Sequence, residues 1–196
     1  MIKAIIFDAD GMIVHEERFS SRYSKEFNVP IEDLSSFFEK DFLDCELGKK
    51  DLKEALLFYL SKWKWRGSVD ELLKFWFEGS HTDKEVIKII EKVKKSGIIC
   101  VLSTKQERYR VEYMKNELGL GELFDFVVSS HEVGYFKNNP EFYRRILELL
   151  PGIKTNEIIF FDDREKNIKA AESLGIKSIL FKNLEDFKNT INNYVA

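Results

Sequence analysis

The sequence predicts an α/β protein, a doubly wound parallel sheet with an α-helical subdomain inserted after the first strand. Three observations predict it. From about residue 80 onward, short apolar runs alternate with amphipathic helical patterns, the order that builds a parallel sheet with right-handed crossovers. Residues 15–80 hold only helical patterns and far exceed the roughly one dozen residues that a parallel crossover needs. The apolar runs end in polar residues, and open parallel sheets bind ligands beyond the carboxyl ends of their strands.

Each element follows from its local pattern. The first run, Ala4–Phe7, reads as a short, fully buried strand. In the insert, helical spacing covers His15–Phe27, Leu34–Phe42, Lys49–Lys62 and Ser68–Glu78. The last of these opens with a capping box, Ser68 with Glu71, and stops at Gly79. A helix over Lys84–Lys95 sets Val86, Ile89, Ile90 and Val93 on one face, with a capping box of Thr82 and Glu85 and a stop at Gly97. Next come a strand Ile98–Leu102, a helix Glu107–Leu118 stopped by Gly119, and a strand Phe126–Val128. A helix Pro140–Leu150, a strand Ile158–Phe161 and a helix Glu165–Leu174 stopped by Gly175 follow, then a strand Ser178–Phe181 and a final helix. The expected division is an α/β core from residues 1–14 and 81–196, with 15–80 as the helical insert. Most of the insert's aromatics (Phe37, Phe38, Phe58, Tyr59, Trp63, Trp65, Phe75, Trp76 and Phe77) are expected in the core of a small bundle, with the lining of a pocket as the alternative.

Composition narrows the function classes. A net charge of −3, with Lys and Glu interspersed, gives no basic surface for nucleic acid. No apolar stretch reaches the length of a membrane span, and no signal-peptide pattern precedes the first strand. Cys45 and Cys100 are far apart and form no metal or disulfide pattern; Cys100 lies in an apolar run and reads as a buried thiol. A soluble, cytoplasmic protein in a reducing setting is expected, without a membrane or nucleic-acid partner. His15, His81 and His131 have no metal-ligand spacing and read as ordinary surface or loop residues, although His15 and Glu16 follow the first acidic motif closely enough to face a pocket there.

The chemistry lies at the strand ends. FDADG places Asp8 and Asp10 at the end of the first apolar run, where two buried charges need compensation. The strand Ile98–Leu102 delivers Ser103 and Thr104, Phe126–Val128 leads into SSHEVGYFKNNP with Lys137, and Ile158–Phe161 delivers Asp162 and Asp163. Three or more carboxylates at one sheet edge call for a cation, and an oxygen-only ligand set suits Mg²⁺ rather than zinc. A carboxylate beside a metal-bound phosphate can attack it in line, and a second acid two residues on can protonate the leaving oxygen and later activate water. A lysine and a hydroxyl opposite would hold the remaining phosphate oxygens, and Gly11 would let the backbone approach them. Taken singly, these motifs have ordinary readings. An acidic turn, helix caps at Ser103 and Asp162–Asp163, and a solvated loop lysine would each pass unremarked. Their ordered occurrence at successive strand ends is the specific signal.

FDADG, VLST, the Lys137 segment and FFDD, in this order and spacing, resemble the haloacid dehalogenase (HAD) superfamily. Residues 15–80 stand at the position of that family's helical C1 cap, and the likeness is greatest to small capped phosphatases of the sugar-phosphate type. The resemblance implies a HAD-like Rossmannoid core. It makes Asp8 the nucleophile and Asp10 the general acid/base that also gives a backbone carbonyl to Mg²⁺. Gly11, Ser103, Thr104 and Lys137 would bind the phosphoryl group. Asp8, Asp10, Asp163 and Asp162 would form the metal site, Asp162 as a ligand or as an acceptor behind one. Met12, Thr104 and Asn138 stand where the family often has Thr or Val, Asn and Pro respectively, and Lys105 is the alternative to Lys137. The implied activity is Mg²⁺-dependent hydrolysis of a small phosphorylated metabolite by a monomer or weak homodimer. A phosphotransferase or mutase and a non-catalytic phosphate-binding module are the alternatives; a dehalogenase is disfavoured by the presence of both Asp10 and Asp163. Glu16, Arg18, Arg22, Gly48 and Lys49 are the insert residues weighed for substrate selection, against a plain solvated surface.

Overall fold

The computed structural model describes residues 1–194; the last two positions of the expected core lie outside the described residues. Strand β1 (Ala4–Asp8) leads through a two-residue strand, β2 (Val14–His15), into five helices: α1 (Phe19–Phe27), α2 (Ile31–Glu39), α3 (Asp41–Glu46), α4 (Leu52–Leu60) and α5 (Val69–Phe77). The chain returns through β3 (His81–Thr82), antiparallel to β2, so one small ribbon ties both ends of the insert. There follow α6 (Lys84–Lys95), β4 (Ile99–Thr104), α7 (Arg108–Asn116), α8 (Leu120–Leu123), β5 (Phe126–Ser129), α9 (Ser130–Val133) and α10 (Pro140–Glu148). β6 (Ile158–Asp162), α11 (Glu165–Glu172), β7 (Lys177–Leu180) and α12 (Leu184–Ile191) complete the fold.

The sheet is parallel, in the order β5–β4–β1–β6–β7, with β1 at its centre. Alternation along β1 assigns its two faces. Ile5 and Phe7 pack with Val86, Ile90 and Val93 of α6 and with Phe187 and Ile191 of α12. Ala4 and Ile6 pack on the other side with Phe142 and Ile146 of α10 and Ile168 and Ala171 of α11. Helices therefore cover both faces, which is why the strands read as continuous apolar runs. Each such buried Ile or Phe contributes about 1.5–3 kcal/mol of transfer free energy.

The insert has its own core. Phe19, Phe37, Trp63, Leu72 and Trp76 cluster there, with Phe19 and Trp76 stacked at 4.4 Å and the Tyr23 hydroxyl donating to the Trp63 carbonyl at 2.9 Å. Most of the aromatics weighed above do fill this bundle, whereas Phe58 is 65% exposed.

Three local expectations change. The N-cap of α6 is Asp83, which accepts from the Glu85 and Val86 amides; Thr82 is instead paired with Val14 in the ribbon. The stretch Leu34–Phe42 is divided between α2 and α3 because Lys40 (φ −129°, ψ −81°) leaves helical geometry. Helix α1 starts at Phe19 rather than His15, since Val14 and His15 are taken up in the ribbon. The Ser68–Glu71 capping box forms as read.

Candidate active site

Parallel register lines up the strand ends. Asp8 pairs with Ser103 and Phe7 with Phe161, so Asp162 follows beside Asp8, while Thr104 pairs with Ser129 at the start of the segment that carries Lys137. All of the strand-end residues read from the sequence thus reach one edge of the sheet.

Asp8 is 5% exposed and its Oδ1 accepts from the Ala9 amide at 2.7 Å. The Lys137 ammonium, itself 3% exposed, donates to Asp8 Oδ1 at 2.5 Å and to the Ser103 carbonyl at 3.3 Å, and lies 2.6 Å from Asp162 Oδ2. Lys137 is therefore the lysine of this cluster. Lys105 pairs with Glu46 of α3 at 2.8 Å. Asp162 is fully buried, and its oxygens also accept from the Arg164 amide at 2.8 Å and from Asn167 Nδ2 at 2.9 and 3.1 Å. Burial, with Asp162 and Asp10 nearby, pushes the Asp8 carboxyl up to about 8 in spite of Lys137. Burial opposes the Lys137 charge, but Asp8 and Asp162 hold its ammonium above the usual lysine value.

Asp8, Asp162 and Asp163 each offer a carboxylate oxygen, and these oxygens lie within 4.8 Å of one another. Asp163 leans over Gly11, where an added Cβ would come within 2.6 Å of its Oδ2; with φ at +87°, that position calls for glycine. Asp8, Asp162 and Asp163 face only two cations, Lys137 and, 3.6 Å from Asp163, Arg164, which leaves an excess of negative charge. Oxygen-only donors with uncompensated charge fit a hard divalent cation such as Mg²⁺.

The Asp10 carboxylate turns the other way. Its Oδ2 accepts from Gln106 Nε2 at 2.9 Å and faces the Thr104 hydroxyl at 3.4 Å, and its Oδ1 is 3.9 Å from Arg110 Nη2. The Ser103 hydroxyl is fully buried and donates to the Phe7 carbonyl at 3.1 Å. Met12 is fully buried within the core, which explains why an apolar residue stands there. Over the aspartates is a cavity of about 350 Å³, lined by Asp8, Asp10, Glu46, Gln106, Lys137 and Arg164 among others. Gln106, Glu46 and Arg164 were not singled out from the sequence. Glu46 arrives from the insert, and no linear spacing connects it to residues of the core. Arg110 was missed too, although an arginine four positions before the buried Met114 and next to the buried Val111 is an available signal.

A doubly wound parallel sheet with this acidic edge and a helical insert after β1 is the architecture of a HAD-type hydrolase. Residues 2–175 match the haloacid dehalogenase-like hydrolases, and the chain belongs to that family. It is 26% identical over 187 residues to a phosphorylated carbohydrates phosphatase of Thermotoga maritima, covering 91% of this chain and 84% of that protein. It is 38% identical over 63 residues to bifunctional epoxide hydrolase 2 of Rattus norvegicus, a match covering 32% of this chain and 11% of that one. A HAD family enzyme of Bacteroides thetaiotaomicron, crystallised with magnesium and inorganic phosphate, shares the fold with a TM-score of 0.82 at 21% identity, covering 97% of this chain and 99% of that chain. Among the described residues, no helix is long and apolar enough to cross a membrane.

Proposed function

We propose that this hydrolase is a Mg²⁺-dependent phosphatase that cleaves a small phosphate monoester through an aspartyl-phosphate, with residues 15–80 acting as its cap. The observation that carries the reading is the division of labour between two acids. Asp8 is held by Lys137 at the charged end of the cavity, while Asp10 is turned toward Gln106, Thr104 and Arg110. An Asp8 carboxylate oxygen attacks phosphorus, the bond from phosphorus to the ester oxygen breaks, and Asp10 gives that oxygen its proton. Asp10 then takes a proton from water, the water oxygen attacks phosphorus, and the bond to Asp8 breaks to release inorganic phosphate and free Asp8. Lys137 offsets charge on the nucleophile and phosphoryl oxygens, and Gly11 leaves its backbone open to them. Mg²⁺ held by Asp8, Asp163 and the backbone beside Asp10 would neutralise the phosphoryl oxygens, with Asp162 keeping Lys137 in place. The cap excludes water from the first step.

The test is hydrolysis of p-nitrophenyl phosphate and a panel of sugar phosphates with Mg²⁺ or EDTA, beside Asp8→Asn and Asp163→Ala. Turnover that needs the metal and Asp8, with an acid-stable phosphoenzyme absent from Asp8→Asn, is expected. Equal turnover by Asp8→Asn would overturn the assignment.

A further inference from the structure

The insert joins the core through two segments, and one side chain of α7 meets both. The chain leaves β2 at Glu16 and enters β3 from Ser80, and the ribbon's register, Val14 with Thr82 and His15 with His81, sets these two residues opposite each other. Their side chains join, with the Ser80 hydroxyl donating to Glu16 Oε2 at 2.7 Å. Arg110, 2% exposed, closes the group from the core side. Its Nη1 donates to the Ser80 hydroxyl at 2.6 Å, and its Nη2 lies 2.8 Å from Glu16 Oε2. The guanidinium also faces the rings of Phe77, at the end of α5, and Tyr113 at 5.4 and 5.7 Å.

The same Nη2 reaches to 3.9 Å from Asp10 Oδ1. Among the described residues Arg110 is the one cation paired with that carboxylate, since Lys137 serves Asp8 and Asp162 and Lys105 serves Glu46. Nη2 makes no hydrogen bond with either acid, so it stands between two carboxylates and is locked to neither. A buried guanidinium needs anions around it. Here one anion belongs to the attachment of the insert and the other is the acid two residues after Asp8. Glu107, a third acid nearby, has its oxygens on the Tyr109 and Arg110 amides. Arg110 and Gln106 also line a second cavity of about 440 Å³ between the insert and α7, with Arg18, Glu39, Trp76 and Phe77 among its other walls. Open volume there leaves the contacts of Arg110 to set the spacing of the insert and α7.

Resting on the phosphatase reading, we infer that Arg110 is a positioning residue for Asp10. Asp8 and Asp10 repel one another, and Arg110 draws the Asp10 carboxylate away from Asp8 and toward α7. Glu16 and Ser80 fix Arg110 in turn, so the place of Asp10 depends on both attachments of the insert being seated against α7.

The leaving group separates a misplaced acid from a damaged fold. An alkoxide needs a proton to leave, whereas p-nitrophenolate leaves without one. With Mg²⁺, Arg110→Gln should lower kcat/KM about tenfold for glycerol 1-phosphate and glucose 6-phosphate, but about threefold or less for p-nitrophenyl phosphate. Arg110→Lys, which keeps the charge, should recover most of the loss. Ser80→Ala, which loosens the guanidinium without removing it, should show the same preference at about threefold, and it stands in if Arg110→Gln does not fold. A second readout needs no substrate. In EDTA at neutral pH, Asp10→Asn should lower the melting temperature more in the wild-type background than beside Arg110→Gln or Ser80→Ala, by about 2 °C. Equal losses on alkyl and aryl esters, or an equal melting shift in both backgrounds, would overturn the positioning role and leave the phosphatase reading standing. If the wild type cleaves none of the three esters, the phosphatase reading fails, and the melting shifts alone then decide whether Arg110 holds Asp10.

Discussion

Lys137 and Asp162 form an ion pair at 2.6 Å in which the side chains are only 3% and 0% exposed. The same ammonium serves Asp8, so one cation holds two buried carboxylates in place. Removing one partner of such an arrangement leaves uncompensated buried charge, worth about 3–5 kcal/mol. Lys137→Met should therefore destabilise the protein by roughly that amount at pH 8 as well as abolish turnover. The cost should be smaller at pH 5, where the orphaned carboxyls can be protonated. Urea denaturation at both pH values checks this. Equal losses would mean that Lys137 contributes packing rather than charge.

Stability should also depend on pH and metal in a linked way. Burial pushes Asp8 up to about 8 and Glu107 up to about 7. Unfolded carboxyls titrate near about 4, so across this window the folded chain binds more protons than the unfolded chain. Stability is then full at the acid end and falls as pH rises through the folded values. His131, kept neutral by burial, works in the opposite direction below about pH 6.5, so melts belong above that value. In EDTA the melting temperature should fall with rising pH, and Mg²⁺ should restore more of it at high pH, where it no longer competes with the Asp8 proton. Asp8→Asn should flatten part of the slope and leave the share from Glu107. A melting temperature that rises with pH in EDTA would contradict the charge argument.

The sequence carried the strand-end residues well, for a physical reason. In a parallel sheet buried on both faces, the end of an apolar run coincides with the end of a strand, and register then brings those ends together. Asp8, Lys137, Asp162 and Asp163 meet on that logic, whereas Asp10 reaches the same edge but turns to Gln106. Residues delivered by packing between the insert and α7 carried no such mark. Glu46 meets Lys105, and Glu16 meets Arg110, across separations that no periodicity encodes. The ribbon of Val14–His15 with His81–Thr82 is too short for a period-two pattern, and missing it is what misplaced the cap of α6 onto Thr82. The aromatic insert was ambiguous because the same rings serve twice: Trp76 and Phe77 belong to the bundle core and also line the second cavity.

Gln106 donates to Asp10 Oδ2 at 2.9 Å and so sets how that carboxyl is turned. Gln106→Leu removes the donor, and one hydrogen bond to a charged group is worth about 1.5 kcal/mol or more. In the proposed reaction Asp10 acts on the ester oxygen and on water only in the bond-breaking steps, so kcat should fall about tenfold while KM changes little. Steady-state kinetics on a phosphate ester check this. A Gln106→Leu protein with an unaltered kcat would show that the bond does not position Asp10.

Gly48 closes the turn after α3 and sits directly against α9. Its φ is +69°, and a Cβ there would lie 2.3 Å from the His131 carbonyl oxygen. The contact is flanked by Glu46–Lys105 at 2.8 Å and by the Tyr109 hydroxyl donating to Asp51 at 2.7 Å, so insert and core are closely tied along this part of the seam. Gly48→Ala adds about 1–2 kcal/mol of left-handed strain and a collision with backbone that cannot rotate away. The least costly relief is for the turn to lift off α9, and Glu46 then withdraws from the wall of the cavity over Asp8. The variant should fold with a lowered melting temperature and show a KM for phosphate esters raised about tenfold, the equivalent of about 1.4 kcal/mol. Tyr109→Phe, which deletes one partly buried hydrogen bond without moving backbone, should cost about 0.5–1.5 kcal/mol and change KM much less. A Gly48→Ala protein with a lowered melting temperature but an unaltered KM would show that the seam supports the fold and that closure there does not shape the site.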